Sequence, residues 1–223
     1  MSHNHAAAGS EDVRTPATQG HVLHWARFYD PVTSLCTLGH RAQLRRETVD
    51  LAGIQPGAAV LDVGCGTGDV ALAAHQRTDP TGTVCGIDPA PEMIAVARRK
   101  AARAGVDVNF QIGVIEGLAF PTASFDFVLS SLMMHHLPHD VKRRGLAENM
   151  RVLRPGGRVL IIDAKRPAVW LGRVMTTVLG HAALREGIQD LPALLHEAGF
   201  TNVHSGSLRL RVLGFVSGQR PSP

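Results

Sequence analysis

The run Val60-Leu61-Asp62-Val63-Gly64-Cys65-Gly66-Thr67-Gly68 joins an apolar, strand-like stretch to a helical one. In that setting glycines turn the chain tightly and let a ligand approach the backbone, because no Cβ intrudes. The third glycine comes one position too early for the dinucleotide spacing G-x-G-x-x-G. Asp69 follows Gly68 where a phosphate-cradling loop would carry a lysine, so a polyphosphate ligand is disfavoured. Asp62 and Asp88 each stand at the end of an apolar run, at the sheet edge where open α/β folds bind ligands. Asp88 lies 24 residues after Gly64 and suits hydrogen bonds from ribose hydroxyls. With Asp69 nearby, these carboxylates would welcome a cationic, phosphate-free nucleoside.

A second group of reactive side chains is Met133-Met134-His135-His136-Leu137, directly after another apolar run. Imidazole titrates near neutral pH and can remove a proton from an acceptor. His135 and His136 are therefore candidates for base or substrate contact; packing at a helix start is the alternative for both. His181 and His196 are weaker candidates in the tail, and His3, His5 and His21 read as solvated residues of an amino-terminal arm. Met133, Met134, Trp170, Met175 and Phe28 could line an apolar acceptor pocket or could belong to the ordinary core.

Alternating elements must position these residues. Residues 1–19 read as a disordered arm. Residues 20–57 read as a helical lid with helices at His21–Tyr29 and Leu38–Ala52, and residues 58–223 form the core. Strands are predicted at Ala58–Val63, Thr83–Ile87, Val108–Ile112, Phe125–Ser130 and Val159–Ile162. Helices are predicted at Val70–Gln76, from Pro91 onward, and over His139–Leu153, the last stopping at Arg154-Pro155-Gly156-Gly157. Buried strands alternating with helices imply one Rossmann-like, doubly wound α/β domain with a mostly parallel, seven-stranded sheet. Leu191–Glu197 reads as a helix, and Val203–Arg211 with Val212–Ser217 as a closing antiparallel hairpin. Residues 168–180 carry apolar side chains on one face and read equally as a lid or as a packed helix.

Composition narrows the function. Of 223 residues, 44% are apolar and 4% aromatic, enough for a large core but too few rings for a single-strand nucleic-acid platform. The net charge is +4, and its arginine and lysine groups (Arg41/Arg45/Arg46, Arg98/Arg99/Lys100/Arg103, Lys142/Arg143/Arg144) read first as solvated helix faces. Contact with anionic lipid headgroups or RNA is the alternative for these groups. For the protein as a whole, a small-molecule acceptor and no nucleic-acid partner are expected. Cys36, Cys65 and Cys85 have no metal-ligand spacing, so no metal site is expected and a reducing, cytoplasmic setting is.

Val60–Gly68 resembles motif I of the class I S-adenosylmethionine-dependent methyltransferases, and Gly86-Ile87-Asp88-Pro89 resembles their acidic loop. Ser124–Ser130 is similar to their fourth strand and Leu153–Arg158 to the turn before the fifth. From about Phe28 to Gly218 the chain resembles the ubiquinone/menaquinone methyltransferase-like group. The resemblance implies S-adenosylmethionine as cofactor and S-adenosylhomocysteine as product. It also implies methyl transfer to carbon or oxygen of a small, apolar or aromatic acceptor. Phospholipid N-methylation and a non-catalytic cofactor-binding protein are the competing readings.

By the same resemblance, Gly64, Gly66 and Gly68, with Asp62 and Cys65 beside them, would line the methionine and ribose portion. Asp88 would hold the ribose, and Pro89 and Met93 would lie near adenine. Gly113, Val114 and Ile115 would form the adenine-edge loop, Ser130 would face the methionyl group, and Tyr29 would belong to a covering lid. Val114 departs from the pattern. Family members often have an acidic residue there to accept a hydrogen bond from the adenine amino group, so backbone carbonyls or water must replace it.

Overall fold

The computed structural model of the protein describes residues 18, 20, 40–166 and 187–223. The expected helix His21–Tyr29, Tyr29 itself and the 168–180 segment lie outside the described residues. So do Phe28, Cys36, Trp170, Met175, His181 and nearly all of the arm.

Five parallel strands form the heart of the sheet. They are β1 (Ala59–Val63), β2 (Thr83–Asp88), β3 (Asn109–Ile112), β4 (Phe125–Ser131) and β5 (Leu153–Ala164), and β7 (Leu213–Gln219) and β6 (Thr201–Ser207) extend them antiparallel. The order across the sheet is β3-β2-β1-β4-β5-β7-β6. The chain runs outward from β1 to β3, then returns to the far side of β1 to lay down β4. Such a reversal opens a crevice at the carboxyl ends of the two central strands.

Alternation along the strands builds a core on each face. In β1, Val60 packs on one side with Leu129, Leu160 and Ile162, while Leu61 and Val63 pack on the other with Val128 and Ile161. Helices α1 (Arg41–Ala52), α2 (Asp69–Thr78) and α3 (Pro91–Ala104) cover the first face through Leu44, Val49, Ala71, Ala74, Ile94 and Ala97. Helices α4 (His139–Val152) and α5 (Leu191–Glu197) cover the second through Val141, Leu146, Leu191 and Leu195. A face covered by helices demands apolar residues on both sides of each strand, which is why β1 is buried throughout. Helix α3 begins with Pro91 in its first turn and ends at Gly105, whose φ of 64° is left-handed.

Two expectations about elements need correction. The segment Arg154-Pro155-Gly156-Gly157 does not separate helix from strand: β5 starts at Leu153, which pairs with Phe125, and the next pairs run from Phe127 to Arg158. The extra residues bulge out around Gly156, whose φ is 79°. The closing hairpin is present, but its strands are Thr201–Ser207 and Leu213–Gln219, with residues 208–212 as the connection. Leu208 and Leu213 are buried in the first-face core, which accounts for the apolar pattern that read as continuous strand.

Candidate active site

The loop after β1 is held before any ligand arrives. The Gly64 and Cys65 N–H groups both donate to the Ile87 carbonyl at 2.9 Å, tying the glycine loop to the end of β2. The Gly66 N–H donates to Asp88 Oδ2 at 2.9 Å, and the Ala90 N–H donates to Asp88 Oδ1 at 2.9 Å. Burial raises the Asp88 carboxyl above the ordinary range, and these two N–H groups oppose that rise. A Cβ on Gly64, whose φ is 71°, would lie 2.4 Å from Met133 Cγ. Glycine there is required twice, by conformation and by space.

An open cavity lies along this edge. Gly64, Gly66, Asp88, Pro89 and Met93 line it together with Gly113, Val114, Ile115 and Glu116. Met133, His136 and Leu137 close it with Thr18 and Gly20 of the amino-terminal segment. A second cavity shares Gly64 and Leu132 with it. Asp62, Cys65, Thr67, Asp69, Ser131, Arg41 and Arg45 line that one. Leu132, common to both, has a φ of 57°, an unusual backbone for leucine directly after β4.

The sequence-predicted site residues divide among these walls. Gly64, Gly66, Asp88, Pro89, Met93, Gly113, Val114 and Ile115 come together at the first cavity, and Asp62 and Cys65 reach the second. Gly68 lines neither. Its φ is 83°, and a Cβ there would lie 2.6 Å from Phe110 Cζ and 2.9 Å from Ala97 Cβ, so its role is close packing of the α2 start against α3 and β3. Ser130 is buried beneath the edge, its hydroxyl without a protein partner, while Ser131 faces the second cavity. Met134 is core, whereas Met133 lines the first cavity. His196 is exposed on α5, away from both cavities.

Asp62 is the most perturbed carboxyl group at the edge. It is buried in β1, its Oδ2 has no hydrogen-bond partner, and its pKa is pushed up to about 7. Desolvation is the main cause, helped by the negative charges of Asp88 and Asp69 and opposed by a backbone hydrogen bond from Ala71. Asp69 itself is held by Arg41, by Arg45 at 3.0 Å and by Lys100 at 2.9 Å. Arg98 donates to the Phe110 carbonyl, Lys142 is buried, Arg143 pairs with Glu197 and Arg144 with Asp140. Arg46, Arg98, Arg99, Arg103, Arg143 and Arg144 are exposed, as expected of solvated faces, whereas Arg41, Arg45 and Lys100 turn inward to Asp69 and Lys142 is buried.

The histidine pair differs in its two members. His136 lines the first cavity. His135 sits beside it, with ring centroids 3.9 Å apart, on a short 3₁₀ turn spanning Met134–His136. Its Nδ1 is 2.5 Å from Asp163 Oδ1, and its backbone N–H donates to Asp163 Oδ2 at 2.9 Å. Asp163 ends the apolar run of β5 and is 2% exposed. Sequence reasoning passed over both Asp163 and Glu116. The signal for Asp163 was the one that revealed Asp62 and Asp88: a lone carboxylate at the end of a buried parallel strand.

The methyltransferase domain family matches residues 60–157. The ubiquinone/menaquinone biosynthesis C-methyltransferase UbiE of Bordetella parapertussis is 30% identical over 217 residues, covering 87% of this chain and 83% of that protein. This chain belongs to the ubiquinone/menaquinone methyltransferase-like group of class I S-adenosylmethionine-dependent methyltransferases.

A demethylmenaquinone methyltransferase of Listeria monocytogenes is likewise 30% identical, over 84% of this chain and 90% of that protein. An arsenite methyltransferase of Halobacterium salinarum is 37% identical over 156 residues, which are 68% of this chain but 39% of that protein. The fold is shared with the YcgJ protein from Bacillus subtilis, at a TM-score of 0.67 and 21% identity over 82% of this chain and all of that one. It is shared also with the [4+2]-cyclase SpnF, at a TM-score of 0.68 and 19% identity over 81% and 82% of the two chains.

The enzyme is an S-adenosylmethionine-dependent methyltransferase of small molecules. Its residues fit that cofactor on physical grounds. Asp88, fixed by the Gly66 and Ala90 N–H groups, lines the first cavity where a ribose diol would meet it. Asp62 offers a cationic ligand a carboxylate oxygen that no protein group satisfies. The two cavities share Gly64 and Leu132 in their walls.

Proposed function

We propose that this methyltransferase acts at carbon or oxygen of a small apolar or aromatic acceptor, with His135, oriented by Asp163, as the base that removes the acceptor's proton. The observation that carries this reading is the His135–Asp163 pair at the carboxyl edge of β4 and β5. When bound, S-adenosylmethionine supplies a methyl group already activated on a sulfonium. The protein is left with presenting the nucleophile in line and excluding water. A phenol or enol acceptor must also lose a proton, and a positioned base accelerates that step by about 100- to 10,000-fold.

His135 lines neither cavity itself, and its pairing with Asp163 is what supports this role. Asp163 receives N–H groups from His135 and Ala164 and faces Nδ1, which favours the tautomer with the proton on Nδ1. Nε2 is then the basic nitrogen. His136 and Met133 line the adjoining cavity and would hold the acceptor's apolar body. Quinol precursors are the leading acceptor class, because relatives named as quinone C-methyltransferases cover most of the chain. Arsenite is the second reading, carried by the identity to the Halobacterium protein. No helix among the described residues is long and apolar enough to cross a membrane, and Cys65 and Cys85 are free thiols. A cytoplasmic setting is part of the same proposal.

The test is transfer of labelled methyl from S-adenosylmethionine to a panel of quinols, phenols, phosphatidylethanolamine vesicles and arsenite with thiol. Turnover confined to quinols or phenols supports the proposal. His135→Gln and Asp163→Asn should then lower kcat at least about 100-fold while leaving cofactor affinity within a few-fold. Turnover of vesicles or arsenite alone, or full kcat in His135→Gln, would overturn it.

A further inference from the structure

We propose that the turn at residues 210–213, in the connection between β6 and β7, seats this enzyme on the headgroups of an anionic bilayer. The Leu213 N–H donates to the Leu210 carbonyl at 2.8 Å, which puts Arg211 and Val212 at the two corners of the turn. Such corners usually carry glycine, proline, asparagine or aspartate, whose backbones or side chains suit a tight reversal. An arginine and a valine there serve neither the turn nor the core. Val212 is the one large apolar side chain that is exposed among the described residues, at 63%. Arg209 and Arg211 are exposed beside it.

The turn is held firmly. Leu208 and Leu213 are buried in the first-face core, the Arg209 N–H donates to Glu47 Oε1 at 3.0 Å, and the Lys165 N–H donates to the Val212 carbonyl at 2.9 Å. The ladder fixes where it lies. Ala164, the last residue of β5, pairs with Leu213, and Asp163 pairs with Gly214, so the turn projects from the carboxyl edge that carries both cavities. A surface docked there faces the edge at which an acceptor enters. Charge selects the kind of surface. Residues 201–223 include no aspartate or glutamate, and Arg46, next to Glu47 on α1, is exposed as well. An anionic headgroup layer gives each such cation about a fivefold gain in binding and receives Val212 at its apolar boundary. This deepens the reading of an apolar acceptor, which a bilayer would hold dissolved, yet the docking itself needs no acceptor.

Cosedimentation of the full chain with vesicles of phosphatidylcholine alone, and of phosphatidylcholine mixed with phosphatidylglycerol, tests this. The mixed vesicles should bind at least about tenfold more tightly. Arg209→Gln with Arg211→Gln should lower that affinity about 10- to 30-fold, and Val212→Ser at least about threefold. The control pair is Arg99→Gln with Arg103→Gln, which removes the same charge from the exposed face of α3, packed by β3 at the far edge of the sheet. In about 0.1 M salt, charges more than about 10 Å from the headgroups are screened, so that pair should change affinity less than about twofold. No preference for the mixed vesicles, or an equal loss in both arginine pairs, overturns the proposal. So does binding to a polyuridylate strand in preference to the vesicles, which would assign the turn to RNA. No acceptor is present in these mixtures, so the apolar-acceptor reading stands or falls by its own turnover assay.

Discussion

Asp62 shows how much a single residue's chemistry can depend on its surroundings. Its folded pKa of about 7 lies above the ordinary 3.8, so the folded protein binds a proton that the unfolded chain releases. Its contribution to stability is therefore present at low pH and is lost as pH rises from about 4 through 7. A cationic ligand reverses the preference by favouring the charged carboxylate. Cofactor binding near pH 6.5 should release protons, and affinity should strengthen as pH rises through about 7. Titration in two buffers of different ionisation enthalpy measures that release, and equal heats in both would refute it. Asp88→Ala should weaken cofactor binding about 100-fold by removing the hydrogen bonds to the ribose diol. Unchanged affinity in that variant would remove Asp88 from the site. Asp88 and the glycines were legible in sequence because a strand, a turn and a helix define them locally. Asp163 ends the apolar run of a buried strand as Asp88 does, but its pairing with His135, 28 residues away, was not legible.

At the scale of elements, α4 and the loop after β3 are fitted to each other. Gly145 sits inside α4, where glycine weakens a helix by about 1 kcal/mol relative to alanine. A Cβ at that position would lie 2.6 Å from Ile115 Cγ1, so the helix closes on the cavity wall only because none is there. Gly145→Ala should therefore lower the melting temperature, since overpacking of about 1–3 kcal/mol outweighs a helix-propensity gain of about 1 kcal/mol. It should weaken cofactor binding about tenfold by displacing Ile115. A thermal melt with a binding titration checks both, and unchanged affinity would show that the loop absorbs the methyl group without moving. The order of elements was readable from hydrophobic alternation. The β5 start was not, since Pro155-Gly156-Gly157 reads as a turn by composition yet serves as a bulge within the ladder. Gly68, read as part of the ligand cradle, also lets the start of α2 pack against α3 and β3.

For the whole molecule, the closing hairpin is what completes the sheet. β7 lies between β5 and β6, and its end is tied back by Arg220, whose guanidinium donates to the carbonyls of Met150, Arg151 and Leu153. The Gly156 N–H donates to the Arg220 carbonyl at 3.0 Å, joining the bulge of β5 to the same segment. Arg220→Ala should destabilise the fold by about 1–3 kcal/mol, since the carbonyls it serves would lose their partner. A denaturant midpoint unchanged from wild type would argue against that anchoring. The antiparallel tail was foreseen from its strand-like pattern, though pattern alone could not say that β7 inserts next to β5. That insertion has a consequence during synthesis. A ribosome delivers β5 well before β7, so a nascent chain with all five parallel strands in place has one long, apolar strand with an open edge. The enzyme's most dangerous moment for clumping with its neighbours thus comes late in translation, and lasts until the final hairpin emerges to close that edge.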